Sequence, residues 1–149
     1  MNEPDAPTLR EVLFVGQPWA EAMVPDVGQA LISITDSGAP PAALRRGWPA
    51  LLRVAFDDLD PDSTPVDEFH AGLQPLSPAQ AAQIAGFAHA AAASATTLVV
   101  HCRFGQSRSP AVALAVCRHY GLAFPPGFDT HNRYVLRCVA EALTRPGLA

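Results

Sequence analysis

The chain has 149 residues, three cysteines and a formal net charge of −4, built from ten arginines, no lysine and 14 acids. That length fits one domain, able to bury about two-thirds of its unfolded surface without a disulfide or metal staple. The acidic balance argues against a basic nucleic-acid-binding face and against an anionic membrane as partner.

Residues 1–8 (MNEPDAPT) read as a flexible tail ahead of a single domain over 9–149. The tail is acidic and has no apolar segment, unlike a signal peptide. Leu9 to Val15 predicts a strand stopped by Gly16 and Pro18, and Trp19 to Met23 one helical turn. Ala30 to Thr35 predicts a second strand, ended by Asp36-Ser37-Gly38. Pro40 to Arg46 predicts a short helix with proline at its start. Leu51 to Phe56 reads as a third strand. Residues 57–76 form a polar, acidic loop whose length points to function. Ser77-Pro78-Ala79-Gln80 has the pattern of a capping box and opens a helix to about Ala95. Thr97 to Val100 predicts a short, buried fourth strand, and Pro110 to Arg118 a helix apolar nearly all round. Asp129 or Thr130 is placed to cap a last helix, with Val135, Leu136, Val139 and Leu143 on one face.

Ala71 to Val100 carries no charge and is long enough to span a bilayer. It is made mostly of Ala, Gln, Ser, Thr and Pro, whereas spans rely on Leu, Ile, Phe and Val. It therefore reads as an Ala-rich helix feeding a strand. Strands alternating with helices predict an α/β domain with a central, largely parallel sheet of four to five strands flanked by helices. Ligands bind at the carboxyl ends of such strands, which directs attention to the loop between Val100 and Pro110.

That loop reads His101-Cys102-Arg103-Phe104-Gly105-Gln106-Ser107-Arg108-Ser109-Pro110. Backbone N–H groups curled at a helix N-terminus form an anion nest, helped by the helix dipole. Arg108 adds a planar fork for two phosphate oxygens. Cys102 stands in this positive field, which favours its thiolate. A thiolate facing a bound tetrahedral oxyanion suits attack on phosphorus through a cysteinyl-phosphate. Arg108 and the amides supply the positive charge, so no metal or other cofactor is called for.

HCRFGQSRS resembles the HCxxGxxR(S/T) signature of cysteine-dependent protein tyrosine phosphatases. Its Ser-Arg-Ser-Pro ending, followed by an Ala/Val helix, is most similar to the small dual-specificity phosphatases. The loop match covers nine residues, and the strand–loop–helix context extends it to about 97–118. The resemblance implies Cys102 as nucleophile, Arg108 as phosphoryl ligand and Ser109 as hydrogen-bond donor to the departing sulfur. It implies that His101 orders the loop. The amides of Arg103, Phe104, Gly105, Gln106, Ser107 and Arg108 would line the phosphate site.

The family places a general acid, an aspartate, after an earlier strand. The pattern Phe56-Asp57-Asp58 points to Asp58, with Asp57 second and Asp60 third. The spacing from Asp58 to Cys102 implies an insertion at 59–76. The implied activity is metal-independent hydrolysis of phosphotyrosine, with phosphoserine and phosphothreonine as further candidates. The substrate would be a phosphorylated protein or a small phosphomonoester. A monomer is expected, in the cytoplasm, with no nucleic-acid or membrane partner. A rhodanese-like or Cdc25-like enzyme is one alternative, although the usual rhodanese loop is one residue shorter. A catalytically silent phospho-binding module is another.

The remaining candidates have plain readings. Residues 57–68 hold six of the 14 acids (Asp57, Asp58, Asp60, Asp62, Asp67 and Glu68), most of them expected to be solvated. Cys117 and Cys138 read as small core residues. His70, His89, His119 and His131 form no metal-ligand spacing. Arg103 is either a solvated side chain or a rim contact to substrate, and Phe104 an apolar wall for the substrate ring. Trp19 and Trp48, each beside a proline, read as packing anchors.

Overall fold

A computed structural model describes residues 6–64 and 72–145. Four strands, β1 (Glu11–Gly16), β2 (Gln29–Thr35), β3 (Ala50–Ala55) and β4 (Thr97–Cys102), form one sheet in the order β1-β4-β2-β3. Every pairing is parallel. Four helices complete the domain: α1 (Gln17–Ala22), α2 (Pro78–Ser94), α3 (Arg108–Tyr120) and α4 (Arg133–Leu143). The class is the expected α/β domain, with four strands at the lower end of the expected range. No helix of the described residues is long and apolar enough to cross a membrane.

Alternation along the two central strands decides the packing. Ala30, Ile32 and Ile34 of β2 and Leu98 and Val100 of β4 enter one apolar cluster with the buried residues of α2, α3 and α4. Leu31 and Val99, pointing to the opposite face, are also fully buried. A strand buried on both faces reads as a continuous apolar run, which is why ALISIT and TLVV are unbroken. Among the described residues, the second face has no long helix. Glu21 of α1 accepts the Ala43 amide, and a cavity there is lined by Ser33, Ala39, Pro41 and Arg53. A proline-rich crossover thus joins β2 to β3 over that face.

The helix predicted over Pro40–Arg46 does not form. Pro41 disfavours helical backbone at Pro40. The backbone groups that a helix would pair are taken by side chains instead. Arg53 donates to the Ala42 carbonyl at 3.0 Å, and the Ala43 amide donates to Glu21 at 2.7 Å.

The capping box at Ser77 and Gln80 is present in both directions, at 3.1 and 3.0 Å. The last helix differs from expectation. Asn132, not Asp129 or Thr130, is its cap, accepting from the Val135 amide at 3.0 Å. Thr130 spends its hydroxyl on the Gln106 carbonyl instead. Leu136 is only partly buried, whereas Val135, Val139 and Leu143 are buried as expected. Cys117 is in the core, while Cys138 is half-buried. Trp19 is no packing anchor, being 68% exposed.

The expected tail lies outside the described residues over 1–5, and Thr8 is tied to the end of α2 through the Ala92 and Ala95 carbonyls. Asp67, Glu68 and His70 also lie outside the described residues.

Ser77→Ala removes one arm of the capping box while leaving Pro78 in place. It is expected to cost about 1 kcal/mol of stability, a fall of about 2–4 °C in the thermal midpoint. A melting curve followed by circular dichroism measures it.

Candidate active site

The strand order puts the carboxyl end of β4 between those of β1 and β2, so Cys102 leaves near the middle of the sheet. Gly16 at the end of β1 is in register with Cys102, and Ser33 of β2 with His101. Asp36 follows β2, and Phe56, Asp57 and Asp58 follow β3. All four strands therefore deliver residues to one rim.

The loop from Cys102 to Arg108 is held by its carbonyls. The Arg103 carbonyl accepts from the Gln17 amide at 3.1 Å, Gln106 from the Thr130 hydroxyl at 2.7 Å, and Ser107 from the Asn132 amide at 3.0 Å. In a trans peptide the N–H points opposite to the C=O. The amides of Phe104, Ser107 and Arg108 are thereby turned to the other side of the loop. Among the described residues, no backbone N–H from 103 to 107 donates to any group. The Arg108 amide is one of the unpaired donors of the first turn of α3. Together these donors form the geometry of an anion nest.

Gly105 is required for this path. Its φ is +72°, and a Cβ there would lie 2.6 Å from the Gly16 nitrogen and 2.7 Å from the Val15 carbonyl carbon. The loop therefore rests directly on the β1–α1 corner.

Arg108 is 4% exposed. Its Nη1 donates to the Phe56 carbonyl at 2.7 Å, and its Nη2 pairs with Asp36 Oδ1 at 2.8 Å. Its Nε is buried and has no partner among the described residues. Asp36 was not singled out by sequence reasoning, which took Asp36-Ser37-Gly38 as a turn ending a strand. The available signal was its position, an acid at the carboxyl end of a buried parallel strand. Asp36 also lies 3.5 Å from the exposed guanidinium of Arg103.

The Cys102 sulfur is 3.1 Å from the Ser109 hydroxyl and accepts from the Ser109 amide at 3.4 Å. Beneath it, His101 is fully buried. Its Nδ1 faces the Cys102 carbonyl at 3.3 Å and its Nε2 the Ser33 hydroxyl at 2.6 Å. A carbonyl only accepts, so the proton is assigned to Nδ1 and Nε2 accepts from Ser33. Burial lowers the His101 pKa, partly opposed by the bond to the Cys102 carbonyl, and keeps the ring neutral. Ser33 is a second residue that sequence reasoning missed.

The three aspartates after β3 have different surroundings. Asp57 is 6% exposed and accepts from the Ser37 amide, the Ser37 hydroxyl and the Gln74 amide, binding three loop segments. Burial acts to raise its pKa, but these hydrogen bonds outweigh burial and hold it below the ordinary value. Asp60 accepts from the Asp62 and Ser63 amides in a local turn. Asp58 alone of the three reaches the loop from Cys102 to Arg108. Its Oδ1 accepts from the Ser107 hydroxyl and from Asn132 Nδ2, each at 2.8 Å.

The rim beside the loop holds two open cavities. One, of about 450 Å³, is lined by Gly16, Gln17, Pro18, Glu21, Arg103 and Phe104. The other, of about 320 Å³, includes Gln17, Thr35, Asp36 and Arg103. Phe104 is 72% exposed, with the Arg103 guanidinium 5.1 Å from its ring centre. No group of three or more His, Cys, Asp or Glu able to hold a metal ion occurs among the described residues.

No protein-family model matches the chain, and no curated protein does. Among solved structures, the chain is similar to the crystal structure of human DUSP28. The identity is 23%, the match covers 95% of this chain and 86% of that chain, and the TM-score is 0.46.

Asp57→Asn is expected to lower stability at neutral pH by about 1.5–3 kcal/mol, because charge-assisted hydrogen bonds are lost. The native pKa of Asp57 is depressed. Its contribution is therefore complete above the unfolded carboxylate value of about 3.9 and is lost as pH falls through the lower native value. Urea melts of both proteins across the acid range should converge at low pH. A difference that persists there would contradict the assignment.

Proposed function

We propose that the chain is a phosphomonoester hydrolase that acts on phosphotyrosine through a cysteinyl-phosphate intermediate. The observation that carries this reading is the Arg108 Nε, buried without a partner among the described residues, beside a loop whose amides donate to none of them. A buried guanidinium N–H without an acceptor is costly, and a phosphoryl oxygen is an acceptor of the right charge and geometry. The Cys102 sulfur starts the same loop, and Asp58 is bonded to it through Ser107.

In this reading the loop amides and the Arg108 Nε bind the three non-bridging oxygens. The Cys102 thiolate attacks phosphorus in line with the ester oxygen. As the P–O bond breaks, Asp58 gives its proton to the departing phenoxide. The Asp58 carboxylate then takes a proton from water, whose oxygen attacks phosphorus, and the S–P bond breaks. The Ser109 hydroxyl, 3.1 Å away, donates to the sulfur as it leaves. Arg108 and the amides carry the positive charge that the transition state needs. His101, neutral and bonded on both nitrogens, holds the Cys102 backbone in place. Phe104 and the rim cavities offer an apolar wall for the aryl group of the substrate, and Arg103 a contact for flanking residues.

Hydrolysis of an aryl phosphate in the presence of EDTA is expected, with inhibition by vanadate. Purified Cys102→Ser should have no activity; a rate equal to wild type would refute the mechanism. Asp58→Ala is expected to lower turnover of phenyl phosphate by about 100-fold, within the usual range for general acid catalysis. Asp57→Ala should lower it far less at temperatures where it is folded, and the reverse order would transfer the role. A panel of phosphotyrosine, phosphoserine and phosphothreonine peptides, together with small phosphomonoesters, identifies the substrate class.

A further inference from the structure

Most large apolar side chains of the chain are buried, but Phe104 is 72% exposed and Trp19 68% exposed. Both stand at one corner of the rim. Phe104 belongs to the loop after Cys102. Trp19 belongs to α1, whose first amide, on Gln17, donates to the Arg103 carbonyl at 3.1 Å. Exposed apolar groups beside a site mark a surface that takes a partner. Between α1 and the loop lies the cavity of about 450 Å³, walled by Pro18 and Phe104. The Phe104 amide turns to the anion nest, so this cavity begins within one residue of a bound phosphoryl group. A cavity of about 150 Å³ is enough to hold benzene. The ring of phosphotyrosine therefore fills about a third of the space and leaves room for a second side chain.

The lining decides the chemistry of that side chain. It carries one cation, Arg103, and one anion, Glu21, and so no net charge. Both are already engaged. Arg103 pairs with Asp36 at 3.5 Å and lies 5.1 Å from the centre of the Phe104 ring. Glu21 accepts from the Ala43 amide at 2.7 Å and from Gln17 Nε2 at 3.2 Å. A charged substrate residue would give up hydration here without meeting an unopposed partner. An apolar residue gains by covering Phe104 and Pro18. A further cavity on α1, of about 250 Å³ and lined by Trp19, Ala22 and Met23, adds apolar surface suited to a polypeptide more than to a small ester. We propose that the cavity between α1 and Phe104 is a specificity subsite for a large apolar side chain next to the phosphotyrosine, so that the substrate is a phosphotyrosine polypeptide with an apolar neighbour. This rests on the phosphatase reading above and narrows its substrate.

The test compares kcat/KM on phosphotyrosine peptides of one length whose two flanking residues are both Leu, both Ala, both Glu or both Lys, with phenyl phosphate as the reference. The Leu peptide should exceed the Ala peptide by about 10-fold or more, as expected for covering a Leu side chain. The Glu and Lys peptides should not exceed the Ala peptide. Phe104→Ala removes one wall of the cavity. Pro18→Glu adds an unopposed charge to the other, in the first turn of α1, where an acid is favoured. In both variants the ratio of the Leu to the Ala peptide should fall below about threefold. That ratio is taken within each variant, so a change in overall rate does not move it. Preference for the Glu peptide would mean that Arg103 reads an acidic neighbour and would overturn the apolar subsite. Equal rates on all peptides, activity on phenyl phosphate alone, or a Leu preference that survives in both variants would overturn it too, while leaving cysteine-dependent phosphate hydrolysis intact. A wild-type protein inactive on phenyl phosphate and on every peptide would remove the phosphatase reading and the subsite together.

Discussion

A guanidinium cation that is 4% exposed is the constraint around which this rim is organised. Removing such a charge from water costs several kcal/mol unless acceptors replace the lost hydration. For Arg108 those acceptors come from two different strands: a carboxylate just after β2 and a carbonyl just after β3. Satisfying it requires the ends of both strands to converge on the start of α3. The parallel order β1-β4-β2-β3 achieves this, because all four carboxyl ends lie on one edge. The same arrangement brings Asp57 and Asp58 to the rim, where neighbouring residues on one strand end take opposite tasks. Asp57 turns inward and ties loops together, and Asp58 turns toward Ser107 in the loop after Cys102.

The loop from Cys102 to Arg108 is braced for a related reason. Its carbonyls are bound from outside by Gln17 at the start of α1 and by Thr130 and Asn132 on the segment leading into α4. Its midpoint cannot carry a side chain, because Gly105 presses against the β1–α1 corner. Its first residue is held from beneath through His101 and Ser33. The unpaired amides are therefore ordered in advance and need no rearrangement to meet an anion, which is the condition under which dipoles stabilise a transition state most.

Much of this was readable in the chain, for local reasons. Strands β2 and β4 announce themselves because strands buried on both faces are uniformly apolar. The start of α2 is legible because a capping box is a contact over four residues. The loop around Cys102 is legible because Gly105, Arg108 and Ser109 stand at fixed offsets from it. What was missed depends on contacts across long sequence distances. Asp36 matters only because β2 ends beside α3, more than 70 residues later. Asn132 matters only because α4 starts against the segment after β3. The helix expected at Pro40–Arg46 failed because Arg53 and Glu21 capture its backbone groups. Nothing local to PPAALRR reveals that competition. Asp57 and Asp58 are neighbours in the chain, and only contacts made across long sequence distances give them different hydrogen-bond partners.

The unequal covering of the two sheet faces has a dynamic consequence. One face is sealed by α2, α3 and α4, whose interiors share a single apolar cluster. The other is covered by a six-residue helix and a proline-rich crossover that makes few backbone hydrogen bonds of its own. Opening free energies differ between such regions, and segments with little buried apolar contact open first. The rim draws Cys102, Arg108 and Asn132 from the sealed side and Asp36 from the start of the crossover, so an opening of the crossover would cost Arg108 one acceptor before it displaced Cys102.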